Sequence, residues 1–447
     1  MKAKNIFILS LVCLLSLAVL SGIVIYSFQL QELADSSDIS ESPVSPDTKD
    51  SANSLDSSNT TDTTDATDQA DTSGSVDSSN SPDATDQPDT SDSVDNPDAA
   101  DTTDPHDLPD ASVTSDSKDS YVDTGTQDHY DKAPIILAFA GDINFDEDSK
   151  PVARYDAENN GILGCLSPEL VKEMNSADIM MLNNEFAYSL RGTETPDKSY
   201  TFRADPKRVD ILKEMGVDIV SLANNHTLDF GMDALYDTFT TLEGAEIDYV
   251  GAGINLDRAK SAVYYTLGDM KIAYLAASRV VFAMDWYAND TRAGMIGTYD
   301  PTLLLAEIKE AEKNSDFVVV YVHWGVERTN YPVDYQKSLA RQYIDAGADA
   351  VIGCHPHVMQ GLEYYNGKPI AYSLGNYWFN NSTRETALLK LYLNPDGSTQ
   401  VQLLPAMSKG TFTYLVQEKE ERDSYFEFME EISYEVEFDE DGYAISK

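Results

Sequence analysis

From residue 135 onward, apolar runs of strand length alternate with segments of helical spacing. The runs are Ile135–Ala140, Asp178–Leu182, Val217–Leu222, Ile247–Val250, Phe317–Val322, Ala350–Ile352 and Ile370–Leu374. Short, mostly apolar runs bounded by polar residues predict strands. Between them Pro168–Met174, Pro206–Met215, Met232–Leu242, Pro301–Lys313 and Asp334–Ala346 predict helices, three of which open on proline. Val263–Leu267 and Lys271–Ala276 flank Gly268-Asp269-Met270 and predict a hairpin. After residue 380 the pattern turns to strands, with Ala387–Leu393 and Gln400–Leu404 separated by the turn residues Asn394-Pro395-Asp396-Gly397. Strands alternating with helices, with hairpins added, predict an α/β domain with mixed sheets over residues 131–447.

Two other patterns precede it. Ile6 to Phe28 is free of charge. As a helix it would be roughly 35 Å long, enough for a hydrocarbon core of about 30 Å. It is longer than the apolar part of a cleaved signal peptide, and no small-x-small site follows. Residues 1–30 therefore read as a cytoplasmic N-terminus and an uncleaved, single-pass signal anchor. Lys2 and Lys4 before the span place the remainder outside the cell. Residues 31–130 read as a disordered linker. Positions 35–130 carry 25 acidic residues and only Lys49 and Lys118 as bases, amid Ser, Thr, Ala and Pro. Such a stretch buries too little apolar surface to fold. Asp65–Asp77 and Asp83–Asp95 are near repeats without an apolar face, so no solenoid is expected. Either a spacer that carries the domain away from the membrane or a solubilising linker fits this tract.

Charge changes the list of partners. The 447 residues carry a net charge of −46, of which about −24 remains on residues 131–447. A nucleic-acid partner recognised through its phosphates is excluded, because that requires net positive surface. Three cysteines, Cys13, Cys165 and Cys354, exclude a disulfide scaffold and a four-cysteine zinc site. Cys354 reads as a small buried hydrophobe; a Cys165–Cys354 bridge has no support in the spacing.

The chemistry sits where the predicted strands end. Gly141-Asp142-Ile143-Asn144, Asn183-Asn184-Glu185, Asn224-Asn225-His226, His323-Trp324-Gly325 and His355-Pro356-His357 each follow an apolar run. Ligands of α/β sheets bind outside the carboxyl ends of strands. All four histidines of the domain belong to this set, whereas His106 and His129 fall in the acidic tract. Asp, Glu, Asn and neutral imidazole suit borderline divalent metals such as Mn, Fe or Zn. His355 and His357, two apart, would share a face if extended, so each could serve one of two adjacent ions. Arg203, Arg279 and Arg328 lie near these loops; anion clamping and surface ion pairing both fit each. Asn376 either lines the pocket or belongs to a turn.

As a set these segments resemble the CapA-type poly-γ-glutamate capsule biosynthesis proteins, a branch of the calcineurin-like metallophosphoesterase superfamily. The carrying residues are Phe139-Ala-Gly-Asp142, Asn184-Glu185, Ala223-Asn-Asn-His226 with Asp229-Phe-Gly231, His323-Trp-Gly325 with Glu327, Gly353-Cys-His-Pro-His357, and Ser373-Leu-Gly-Asn376. The resemblance implies a four-layer α/β/β/α sandwich of the metallophosphatase type. It implies metal ligation by Asp142, Glu185, Asn225, His323, His355 and His357, with two divalent ions. His226 would act on the leaving group; Arg203, Arg279 and Asn376 are the candidates for holding substrate. Two departures stand out: Asn144 replaces the histidine of the superfamily's first Asp-x-His motif, and Glu185 replaces a bridging Asp. The expected activity is metal-dependent hydrolysis of a phosphoester or a related anionic polymer linkage, beside a capsule synthase in the membrane. A non-catalytic polymer-assembly subunit with the same fold uses nearly the same residues. A surface adhesin or wall spacer would leave the four clustered histidines unexplained.

Overall fold

The computed structural model describes residues 133–380 and 382–447. The expected membrane span over 6–28 and the acidic tract over 35–130 lie outside the described residues. Among the described residues no helix is long and apolar enough to cross a membrane.

Two mixed sheets form the centre. The first begins with β1 (Ile135–Ile143), β2 (Ile179–Asn184), β3 (Ile219–Ser221) and β4 (Asp248–Val250), which run parallel side by side. The second holds β5 (Val263–Leu267), β6 (Met270–Ser278), β7 (Phe317–His323), β8 (Ala350–Cys354), β9 (Met359–Tyr365) and β10 (Lys368–Leu374), in the order β9-β10-β8-β7-β6-β5. The chain then returns to the first sheet through β11 (Asn376–Trp378), β12 (Thr383–Leu393), β13 (Thr399–Lys409) and β14 (Phe412–Leu415). There β12 lies antiparallel to β1, and β11 continues along the same edge of β1 in parallel. Short strands at Ala187–Tyr188, Arg203–Ala204, Ala252–Gly253 and Gly294–Met295 lie in the loops.

Among the described residues eight helices accompany them: α1 (Lys150–Ala157), α2 (Pro168–Met174), α3 (Val209–Met215), α4 (Gly231–Gly244), α5 (Leu256–Lys260), α6 (Thr302–Asn314), α7 (Asp334–Asp345) and α8 (Lys419–Ile432). Local chemistry sets their ends. Ser149 and Ser167 accept hydrogen bonds from Val152 N and Leu170 N, each with proline in the first turn. Gly216, in the left-handed conformation, closes α3.

Strand alternation decides what packs where. In β7, Val318, Val320 and Val322 join Leu304 and Ile308 of α6 and Leu339 and Tyr343 of α7 in one cluster. Phe317, Val319 and Tyr321 point the other way, into the cluster shared with the first sheet. The Tyr321 hydroxyl donates to the Ala140 carbonyl at 2.7 Å, tying β7 to β1 across the interior. Helices α2, α3 and α4 bury Leu170, Met174, Leu212, Met215, Leu235 and Phe239 in that same large cluster. Each fully buried large apolar side chain contributes about 1.5–3 kcal/mol. Two mixed sheets therefore face each other with helices packed on both, in keeping with the alternation of segments. His323 continues the inward face of β7 and points between the sheets, fully buried.

The expected elements recur with small shifts: Phe317–Val322 gains His323, and Ala350–Ile352 extends to Cys354. Pro206–Met215 divides into a 3-10 turn over Pro206–Arg208 and α3. Cys165 and Cys354 are both buried and free. Helix α8 was not anticipated; its Tyr425, Phe426, Met429 and Ile432 are buried, and the Tyr425 hydroxyl donates to the Thr386 carbonyl at 2.8 Å.

Candidate functional site

Strand register lines up the polar residues. Asp142 stands opposite Asn183 of β2 and Asn376 of β11, and Asn183 stands opposite Ser221 of β3. In the second sheet His323 stands opposite Cys354 of β8 and Ser278 of β6. The two rows meet at the carboxyl ends of their strands. Close backbone approach makes this possible at Gly141. A Cβ there would lie 1.9 Å from the Gly375 carbonyl oxygen, which accepts a 3.0 Å hydrogen bond from Asp142 N.

Eight of the ten site residues named from the sequence come together. Asp142 and Glu185 are fully buried. Asn183 joins them: its Nδ2 donates to Asp142 Oδ1 at 2.8 Å and lies 3.4 Å from Glu185 Oε2. Glu185 Oε1 lies 3.6 Å from His323 Nε2 and 3.8 Å from His226 Nε2. His323 Nε2 lies 2.7 Å from Asn225 Oδ1, and its Nδ1 lies 3.2 Å from Cys354 Sγ. His357 Nδ1 lies 2.7 Å from Asn376 Oδ1 and 3.5 Å from Asp142 Oδ2. His355 N donates to Asp142 Oδ2 at 3.2 Å.

The turn that carries the histidine pair is strained. His355 and His357 adopt positive φ, 97° and 57°. Such conformations cost on the order of 1–3 kcal/mol each and persist only where the surroundings over-determine them. The expectation of an extended His355–His357 segment is corrected here: the backbone turns at each histidine, and the two ring centroids lie 5.9 Å apart near Asp142.

Burial dominates the electrostatics. It pushes Glu185 well above the ordinary carboxyl range, and the charge of Asp142 adds to this. Burial also acts to raise Asp142, but His357, Asn183 and His355 outweigh it and hold that group low. His323 is pushed well below the usual imidazole range by burial, then by His355 and His357. His355 is pushed down to about 3 by burial and His357. His357 alone is raised, because Asp142 outweighs its burial. His226 is lowered by burial against the pull of Asp229.

Glu185 Oε1 and His355 Nδ1 are buried without a hydrogen-bond partner. A native interior rarely leaves such groups unmatched. Three overlapping sets bring their ligand atoms within 4.8 Å of one another: Glu185, His323 and His355; Asp142, Glu185 and His357; and Asp142, His323 and Cys354. This mixture of carboxylate and imidazole donors fits a divalent transition metal.

A cavity of about 430 Å³ opens beside these groups, walled by His226, His357, Tyr200, Phe202, Phe379 and Arg328 among others. Arg203, Arg279 and Asn376 do not line it. The Arg203 guanidinium stacks on Phe230, 4.1 Å from the ring centroid, and donates to the Arg191 carbonyl. That of Arg279 lies 3.9 Å over Tyr299 and donates to the Thr298 carbonyl. Arg328 lines the cavity, and its N donates to the Pro356 carbonyl between the two histidines. Asn144 lines it too, but its Oδ1 accepts from Asp146 N at 2.8 Å.

Three partners escaped the sequence reading. Asn183 bridges the carboxylates, and Asn224 donates to Asn183 Oδ1 at 3.1 Å. Both stood in quoted motifs but carried no assigned role. Lys198 contacts both His226 and Asp229 from an irregular loop, where no periodicity marks it.

The chain is similar to several known proteins. The PGA biosynthesis protein CapA of Bacillus subtilis is 37% identical over 213 residues, covering 47% of this chain and 56% of that one. The chain thus spans little more than half the length of that relative. The capsule biosynthesis protein CapA of Bacillus anthracis is 31% identical over 288 residues, covering 62% of this chain and 68% of that one. Among solved structures, a novel phosphatase from Mycoplasma pneumoniae gives a TM-score of 0.40 at 12% identity, over 62% of this chain and 95% of that one. The family model described as bacterial capsule synthesis protein PGA_cap matches residues 136–381, the span that holds every group of the site. The chain belongs to the bacterial capsule synthesis protein PGA_cap family.

Proposed function

We infer that the chain works in the synthesis or export of poly-γ-glutamate at the outer face of the cell membrane. In this reading its site hydrolyses a phosphoester or a related anionic linkage with two divalent metals. Family membership and the names of the two Bacillus relatives support the polymer. The uncharged run Ile6 to Phe28 supports the anchor. One observation carries the hydrolytic reading: Glu185 Oε1 and His355 Nδ1 are buried and unpartnered among converging carboxylate and imidazole donors.

Asp142, Glu185, Asn225, His323, His355 and His357 would hold the ions. Bound divalent ions of this kind polarise a phosphoryl oxygen and lower the pKa of water. The chain's own groups supply the rest. Asn183 fixes both carboxylates, and Asn376 fixes the His357 ring. His226 presents Nε2 towards Glu185, beside the cavity, where it can accept a proton from water and pass it to a leaving oxygen. Of the three arginines named from the sequence as anion clamps, Arg328 lines the cavity and takes that part.

The test is hydrolysis of a chromogenic phosphodiester, bis(p-nitrophenyl) phosphate, by the full chain supplied with Mn, Fe or Zn. Turnover should fall about 10²–10⁴-fold in His226→Gln with metal content unchanged. The non-catalytic assembly subunit remains a second reading because Asn144 spends its side-chain oxygen on the backbone of Asp146. Metal binding without hydrolysis of any phosphoester would favour it.

A further inference from the structure

The hydrolytic reading leaves a buried ionic group beside His226 unused. Lys198 lies in the loop between Ala187–Tyr188 and Arg203–Ala204, and its side chain is only 7% exposed. Ordering so long a side chain costs conformational entropy, so its placement needs compensating contacts. Its Nζ donates to the Tyr200 carbonyl at 2.8 Å and pairs with Asp229 Oδ1 at 2.7 Å. It lies 2.9 Å from His226 Nδ1 and 6.0 Å over the Trp286 ring.

Asp229 is fully buried. Its Oδ2 accepts from Phe202 N at 2.7 Å and lies 2.6 Å from His226 Nδ1. Ammonium and carboxylate both lie near Nδ1, but the 2.6 Å contact to a carboxylate requires a proton between them, so Nδ1 donates to Asp229, the ammonium donates to Asp229 Oδ1 and the Tyr200 carbonyl instead, and Nε2 is left facing Glu185. The Phe202 ring stacks on the imidazole at 4.3 Å. Thr195 N donates to the Asp229 carbonyl at 2.8 Å, so the loop is strapped to the turn that carries His226. Without a neighbouring cation a buried carboxylate would be uncompensated and free to seek other partners.

We propose that Lys198 is a positioning residue for His226: it holds Asp229 through Oδ1 so that Oδ2 fixes the imidazole with Nδ1 protonated and Nε2 turned to the cavity. The role of that nitrogen rests on the hydrolytic reading, but the placement of the ring does not. Lys198 is not a contact for substrate, because its ammonium is already engaged by protein groups.

The test is a proton–nitrogen correlation spectrum of the full chain, isotopically labelled at its six histidines and supplied with zinc, with His226→Gln to assign the signal. In the native chain the neutral His226 ring should show a proton on Nδ1 and none on Nε2. Lys198→Met should lose that single form and give a mixture of the two, whereas Lys198→Arg, which keeps charge and donors, should retain it. If the native ring carries its proton on Nε2, the proposal fails without any variant being needed. It fails equally if folded Lys198→Met keeps the native ring form, since a simple loop staple predicts lower stability and no change in the ring. Absence of phosphoester turnover in the native chain would remove the hydrolytic reading and leave this result standing.

Discussion

Two concavities of the domain invite opposite conclusions. The larger, about 790 Å³, lies at the amino ends of β7 and β8, where Lys309, Lys313, Asp316, Asp345, Asp349 and Lys368 line it. The smaller, about 430 Å³, lies at the carboxyl ends. In the first, charges are solvated or matched: Lys313 pairs with Glu310 at 3.1 Å, and the Asp345 carboxylate accepts from Tyr365 and Asn366. Beside the second, Glu185 Oε1 and His355 Nδ1 have no partner, and the backbone is strained at His355 and His357. Volume therefore does not pick out the site. Unmatched buried carboxylate and imidazole atoms, gathered beside strained histidines, do, because they oppose folding unless something binds there.

The comparison breaks first if metal does not support the fold. Chelation should lower the thermal midpoint by roughly 5–10 °C, given that an ion at 100–1,000 times its Kd stabilises by about 3–4 kcal/mol. Differential scanning calorimetry with and without chelator checks this; no shift would make the smaller cavity as inert as the larger.

The next effect is at Glu185. Its carboxyl is raised by burial, so the folded chain without metal holds a proton that the unfolded chain releases above about pH 4.5. Stability from this group is therefore lost as pH rises through that window. In chelated protein Glu185→Gln should be more stable than native by on the order of 1–3 kcal/mol at neutral pH. That gap should close below about pH 4. With metal added, the order should reverse. Denaturant titrations across pH would show it.

Gly141→Ala sharpens the geometry. A Cβ cannot sit 1.9 Å from the Gly375 carbonyl oxygen, so β1 and β11 must separate beside Asp142. A loss of about 1–3 kcal/mol is expected, together with weaker metal binding. The smallest effect belongs to the larger concavity: Lys313→Ala should change stability by less than about 1 kcal/mol and leave metal content untouched.

Much of this was legible in the residues. Apolar runs followed at once by Asp142, Glu185, His226, His323 and His355 placed the chemistry at strand ends, because ligand groups must stop where the buried ladder stops. Other parts were not. The cationic heads of Arg203 and Arg279 turn onto aromatic faces, and that direction is set by tertiary packing. Lys198 sits among Pro196, Asp197 and Ser199, which read only as loop. In α8 the run Lys419-Glu-Glu-Arg-Asp conceals the stripe of Tyr425, Met429 and Ile432 that follows. Positive φ at His355 and His357 arises from the turn that seats both rings near Asp142, and the mild enrichment of histidine at positive φ is too weak to signal it.

The central claim is that the carboxyl-end cluster holds divalent metal. Elemental analysis of the full chain, purified beside His355→Ala/His357→Ala after incubation with Mn, Fe or Zn, tests it most directly. The account predicts about two ions per chain, as in paired-metal sites, and their loss in the double variant. No bound metal in the native chain, or equal content in both proteins, would contradict it.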